Sequence, residues 1–291
     1  MAVIAETPRP APGLAGAFGK FARRNPTIVL GGALLLATAL VAIFAPWIAG
    51  NDPRFMAPTN RLQPPSAQFW FGTDNLGRDI FARTVYGARI SLIVGLTVAV
   101  VSVAIGLAIG LAAGYYRKLD GVVMRVMDGM MAIPAILLAI ALVSLNRASV
   151  WIVIVAITIP EVPRVVRLVR SVVLTTREQP FIEAAIGGGS RDWKIILRHL
   201  LPSTVAPLVV QATYITASAI LIEAALSFLG AGVPPEIPTW GNMIATSRLF
   251  LARAPWTIFF PGACLALVIL AVNLVGDGLR DRLDPRLARR M

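Results

Sequence analysis

The chain has 291 residues, 57% of them hydrophobic and only 14% charged, with a mean hydropathy of +0.75. Soluble domains average about 45–50% apolar and about 25% charged residues, which excludes an ordinary soluble globular protein here. One cysteine, Cys264, excludes a disulfide framework or thiolate cluster, and one histidine, His199, excludes a multi-histidine metal or bis-histidine haem site.

Long apolar stretches predict six membrane segments, at about 27–49, 89–115, 122–145, 149–170, 203–229 and 257–279. Six crossings of about 20 residues each fit with chain to spare. The first segment follows Arg23-Arg24-Asn25-Pro26, with proline suited to a first helical turn. It is too long for a signal-peptide apolar region and reads as a retained anchor. The second carries Gly106, Gly110 and Gly114 at four-residue spacing, with Gly95 close to the same face. Such a small-residue stripe reads as close helix packing. Pro134 and Pro160 allow breaks in the third and fourth segments.

The loops are unequal. The outer loop 50–88 is long, polar and proline-rich, and Asp79 reads as the start of a helix, with Gly72 and Gly77 in turns. The Asp74/Asp79 pair lacks the spacing and the closing glutamate of a calcium loop. Pro234, Pro235, Pro238 and Pro255 exclude a continuous helix over 230–256.

With the N-terminus inside, 19 of the 27 Lys and Arg residues fall on inner segments. The other eight are Arg54, Arg61, Arg78, Arg83, Arg89, Arg147, Arg248 and Arg253. The positive-inside rule then predicts both termini in the cytoplasm. It also absorbs most of the formal charge of +12, so nucleic acid is not an expected partner and membrane lipid is.

Between the fourth and fifth segments the longest inner stretch, 171–202, reads as two short helices. One starts near Pro180 and is stopped by Gly187-Gly188-Gly189. The other starts at Ser190, a good N-cap residue, and ends near Pro202. Physics alone describes a surface helical hairpin equally well.

Glu183-Ala184-Ala185, then Gly189, then Leu201-Pro202 resembles the "EAA" signature of bacterial ABC-importer permeases. His199 and the extra Gly187 and Gly188 depart from that pattern, which bears on the length of the helix. Further stretches resemble the C-type permease of dipeptide/oligopeptide importers, a branch that includes nickel and glutathione importers, so nickel chelates, glutathione or opine-like compounds are the alternative cargo to peptides. The stretches are Phe71-Gly72-Thr73-Asp74-Asn75-Leu76-Gly77-Arg78-Asp79, Glu223-Ala224-Ala225-Leu226-Ser227-Phe228-Leu229-Gly230, Thr239-Trp240-Gly241-Asn242, and Asn273-Leu274-Val275-Gly276-Asp277. Together they cover about residues 69–287; residues 1–19 match nothing usable.

The resemblance implies an all-α polytopic membrane protein with the type-1 ABC-importer permease fold. It implies a cytoplasmic segment 1–26, an anchor helix with periplasmic loop 27–88, a transmembrane domain 89–279 with coupling loop 171–202, and a tail 280–291. Glu183, Ala184, Ala185, Gly189, Leu201 and Pro202 would couple to an ATPase. The implied setting is the bacterial inner membrane. The implied partners are a second permease, two ATP-binding cassette subunits and a periplasmic or lipoprotein substrate-binding protein. No catalytic residue, cofactor or metal is expected.

Three ionisable residues inside segments stand out, because a mid-bilayer charge costs roughly 2.5–3.5 kcal/mol on insertion scales. Asp128 with Arg125, and Glu161 with Arg164, have spacings for local i,i+3 pairs. Glu223 has no charged neighbour within a turn, so its partner is expected from another helix or chain. Glu223 and Asp128 are the pathway candidates. Trp240 is an interfacial anchor or a contact for a periplasmic partner. The run Asp277/Arg280/Asp281/Arg282/Asp284 reads as a solvated helix end with internal ion pairs.

Other functions fit worse. His199 lies away from any intramembrane serine, and Gly13 to Lys20 has the wrong spacing for a phosphate loop. An ion-coupled secondary transporter is the alternative class, but the two halves show no matching pair of broken helices, and such a carrier has no ATPase to dock.

Overall fold

A computed structural model describes residues 21–146 and 149–283. The helices are α1 (Pro26–Ile43), α2 (Ala45–Ile48), α3 (Ile80–Tyr115), α4 (Arg117–Met131), α5 (Ala135–Ser144) and α6 (Val150–Arg177). Then come α7 (Pro180–Gly187), α8 (Asp192–Ile195), α9 (Leu201–Phe228), α10 (Trp240–Ser247) and α11 (Trp256–Leu283). Residues 1–20, Arg147 and most of the 280–291 tail lie outside the described residues.

Local chemistry explains most boundaries. Pro26 opens α1 behind Asn25, as expected, but the first segment splits at Phe44, just before Pro46. The second segment begins at Ile80 rather than 89, because the Asp79 carboxylate caps the helix by accepting from the Phe81 N–H at 2.9 Å. The third segment is not one helix. It breaks at Pro134, which has no N–H for the preceding turn, and α4 and α5 meet at 80°.

The inner helical pair also departs from expectation. Its second helix begins after Arg191 rather than at Ser190, and it does not stop at Pro202. A π-turn over Ile196–Leu200 lets the Leu201 N–H reach the Ile196 carbonyl, five residues back. The wider turn passes a proline that cannot donate, and one continuous helix runs over Asp192–Phe228.

Helices α1, α3, α8–α9 and α11 are each long and apolar enough to cross a membrane, and the bent α4–α5 pair makes a fifth span. Helix α6 has 28 residues, but Glu161, Arg164 and Arg167 all fall within its first five turns. On length and apolarity alone the described residues hold four such spans, or five if the bent pair crosses as one, against the six segments expected.

Helix α3 is the central post. Gly106, Gly110 and Gly114 face Val165, Val169 and Val173 of α6, and a Cβ at Gly110 or Gly114 would stand 2.7 Å from the opposing valine. The numbers rise together, so α3 and α6 run parallel. Between apolar helices in lipid, this close backbone approach supplies the van der Waals contact that holds them. Gly95 faces Ile220 of α9 instead, so it belongs to a second, antiparallel contact. Gly31 abuts Ala271 and Leu274, and Gly278 abuts Ile28, which sets α1 antiparallel to α11. The start of α1 and the end of α11 thus share one side of the bundle. One apolar core runs from Val94 and Val98 through Val165 and Val169 to Ile182, Ile195 and Leu200.

Candidate functional site

The segment that carries the Glu-Ala-Ala signature is built by two proline- and glycine-dictated ends. Pro180 occupies the first turn of α7, where its missing N–H costs nothing, and Glu183 lies in the same turn, favourably placed for the helix dipole. At the other end the Ser190 N–H bonds to the Ala185 carbonyl at 3.0 Å and the Gly189 N–H to the Ile186 carbonyl at 2.9 Å. This is a Schellman stop, and Gly189 takes the left-handed conformation it requires, with φ +76°. A Cβ at Gly189 would meet no atom within 4 Å, so the demand for glycine comes from the backbone alone.

Helix α7 is held by one side chain and open on the rest. Ile182 is fully buried in the core with Ile195 and Leu200. Phe181 (51% exposed) and Ile186 (53%) of α7 are uncovered, as are Glu183 and Ala184 and, on the next helix, Trp193 (58%) and Leu197 (54%). Ala185 is half-buried, Leu201 packs against the core, and Pro202 is exposed at the π-turn. His199 lies beside Phe181, with ring centroids 6.1 Å apart.

The segment is tied to the bundle by residues that sequence reasoning missed. The Tyr115 hydroxyl at the end of α3 donates to Asp192 at 2.9 Å. Arg177 donates to the Gly114 and Tyr115 carbonyls, a cation on the C-terminal end of α3. These contacts span 62–77 residues, and no local spacing announces them.

The intramembrane ionisable residues fall in two groups. Glu161 and Arg164 pair locally at 2.9 Å, as their spacing predicted. Asp128 does not pair with Arg125. It accepts from Arg167 of α6 at 2.7 Å, and Asp120 pairs with Arg170 one turn further along. The reason is that α4 lies along α6, whose Arg164, Arg167 and Arg170 recur every three residues. No ion pair forms within the Asp277/Arg280/Asp281/Arg282 run among the described residues, and Arg282 instead covers the Phe21 ring at 4.7 Å. Asp284 lies outside them.

Glu223 is fully buried, and the one hydrogen bond its carboxylate accepts at measured geometry among the described residues comes from its own helix. The Ser227 hydroxyl, one turn on, donates to Oε1 at 2.8 Å, while Oε2 has no partner. Trp240, expected as an anchor or partner contact, is only 1% exposed. Its Nε1 donates to the Thr84 carbonyl at 3.0 Å and its ring lies against Gly87, so the indole is spent on internal packing. Asn242, one turn into α10, donates to the Val233 and Pro234 carbonyls and staples the proline loop. Asp74 holds Arg78 at 2.6 Å and Leu76 N–H at 2.8 Å, closing a turn rather than a metal loop.

Comparison with known proteins agrees with this geometry. Residues 102–289 match the family "binding-protein-dependent transport system inner membrane component". Residues 20–65 match the "N-terminal TM domain of oligopeptide transport permease C". The chain is 63% identical to a probable peptide ABC transporter permease of Sinorhizobium fredii, over 93% of both chains. It is 46% identical to a dipeptide transport system permease of Alkalihalophilus pseudofirmus, over 91% of this chain and 88% of that one. A glutathione transport system permease of Escherichia coli is 42% identical over 91% of this chain and 88% of that one. The permease fold of the inward-facing MetNI methionine ABC transporter superposes with a TM-score of 0.57 at 20% identity, covering 69% of this chain and 96% of that one. That likeness gives the fold, the type-1 ABC-importer permease. The chain belongs to the inner membrane components of binding-protein-dependent transport systems, on the branch of C-type permeases of peptide importers.

Proposed function

We propose that this chain is one of two permease subunits of an ATP-driven importer of di- and oligopeptides, and that it couples to a cytoplasmic ATPase through α7. The observation that carries this reading is the build of α7. It is two turns long, pinned by Ile182 and ended by Gly189, with Phe181 and Ile186 uncovered beside Glu183 and Ala184. An uncovered apolar surface of this kind suits a protein groove. ATP hydrolysis belongs to the partner subunits, two per importer, and an external binding protein delivers the cargo.

The 19-to-8 basic asymmetry supports a multi-pass subunit of the inner membrane with both termini cytoplasmic, α6 adding the fourth of six crossings despite its charges. The organisation then runs 1–26 inside, 27–88 anchor and outer loop, 89–279 transmembrane domain with coupling loop 171–202, and 280–291 inside. Glu223 and Asp128 act along the pathway, Glu223 at the outer end of α9 and Asp128 beside the arginine ladder of α6.

Peptide is favoured as cargo by the names of the relatives, one of which is a glutathione permease. The test is uptake by a strain deleted for this gene, given labelled dipeptide, glutathione or nickel separately. Loss of dipeptide uptake, restored by the intact gene, is the expected result. Unchanged dipeptide uptake with loss of glutathione or nickel would reassign the cargo.

A further inference from the structure

The outer face holds arginines that work against the topology bias, since positive charge is disfavoured on that side. Arg54, Arg61, Arg89, Arg248 and Arg253 are exposed there, and none makes an ion pair among the described residues. Arg61 and Arg248 lie over the Phe250 and Phe228 rings, at 5.5 and 5.7 Å. Arg54 and Arg89 have no such ring, yet both border one crevice.

That crevice, of about 660 Å³, opens between the loop 50–54, the outer turns of α3 and the loop at Ile237 and Pro238. Tyr86 and Asn51 add hydrogen-bonding groups to its wall. Beneath it lies Arg83, 1% exposed and without a counter-ion among the described residues. Its Nη1 donates to the carbonyl of Pro53, which lines the crevice, at 3.0 Å, and its Nη2 to the Pro235 carbonyl at 3.3 Å. Its Nε has no partner among the described residues. The one acid lining it, Asp52, is exposed and accepts the Arg54 backbone N–H at 2.8 Å, so its charge offsets one of the two exposed arginines. With Arg54, Arg89 and the buried Arg83 against the single carboxylate of Asp52, the crevice keeps a net positive charge that favours an anion.

We propose that this crevice receives a carboxylate side chain from an acidic patch of the importer's external binding protein, gripped by Arg54 and Arg89 over a floor stiffened by Arg83. The inference rests on the importer reading above. Guanidinium forks match carboxylates in pairs, and arginines spread across the whole outer face suit a protein surface better than a single lipid phosphate. Arg83 acts as a positioning residue, because it ties together the two loops that form the walls.

The test uses the complete importer in nanodiscs with its binding protein, in unaltered form, as Arg54→Glu/Arg89→Glu, and as Arg54→Lys/Arg89→Lys. The reversed pair should weaken binding about tenfold or more and flatten its salt dependence, with basal hydrolysis unchanged. The lysine pair should stay within about threefold of the unaltered complex. Unaltered affinity and salt slope in the reversed pair would overturn the inference. So would a loss that follows the anionic lipid content of the disc rather than the substitution, since lipid phosphate would then be the occupant. If the unaltered complex shows no stimulation of hydrolysis by the binding protein, the importer reading falls and takes this inference with it.

Discussion

Two tryptophans divide the molecule. Trp240, in the connection after α9, is sealed in the bundle and hydrogen-bonded to α3. Trp193, in the connection before α9, is 58% exposed, as is Leu197 one turn on at 54%. Both connections contain the same device. Helix α9 ends on Gly230, with φ +82° and the Ala231 N–H bonded to the Leu226 carbonyl, as α7 ends on Gly189. After that turn the chain beyond α9 folds back on the bundle, where Gly241 lies against Ala224 and Asn242 staples the proline loop. The connection after α9 is completed by packing within the subunit, whereas the connection before it leaves apolar side chains open, as the proposed ATPase contact requires.

Substitutions at the two tryptophans should break this contrast or sharpen it. Trp240→Ala removes a buried indole and orphans the Thr84 carbonyl, so it should destabilise the permease by about 3–5 kcal/mol. Thermal unfolding of the purified complex reads this, and a shift equivalent to less than about 1 kcal/mol would mean that the connection after α9 is not packed as described. Trp193→Ala should leave unfolding within about 0.5 kcal/mol and weaken ATPase retention about tenfold. Equal ATPase retention in the two forms would show that the open apolar side chains before α9 are idle.

Glu223→Gln should give the smallest structural change, because the amide keeps size and can still accept from Ser227. Assembly should hold while transport falls or shifts its preference among peptides of different charge. Transport kinetics unchanged across acidic, neutral and basic peptides would leave Glu223 a structural group of the outer end of α9.

Sequence legibility followed the range of the interactions. The bounds of α7 were readable because Pro180 and Gly189 act within a turn, and the glycine stripe of α3 was readable because four-residue spacing defines a helix face. The Glu161–Arg164 pair was local and was found. Asp128 was misassigned to Arg125 because its actual partner, Arg167, is 39 residues away. Pro202 reads as a stop, and only the π-turn before it lets the helix pass. Trp240 reads as interfacial because nothing near it in sequence announces Thr84, 156 residues earlier. Arg83, which ties Pro53 to Pro235, was hidden in the same way.

The central claim is that α7 transmits between this subunit and an ATPase, and Gly189→Val with Glu183→Arg tests it most directly. Valine at φ +76° carries a left-handed backbone penalty of about 1–2 kcal/mol or more, with no clash inside the subunit to confuse the result. Arginine at 183 puts a cation at the positive end of the helix dipole, on an exposed side chain. The measurement is ATPase retention and substrate-stimulated hydrolysis in the purified complex, each variant compared with the unaltered chain. Both variants should remain in the membrane with the partner permease while the ATPase is released, or hydrolysis no longer responds to substrate. Wild-type retention and wild-type stimulation in both variants would contradict the assignment of α7 as the coupling helix.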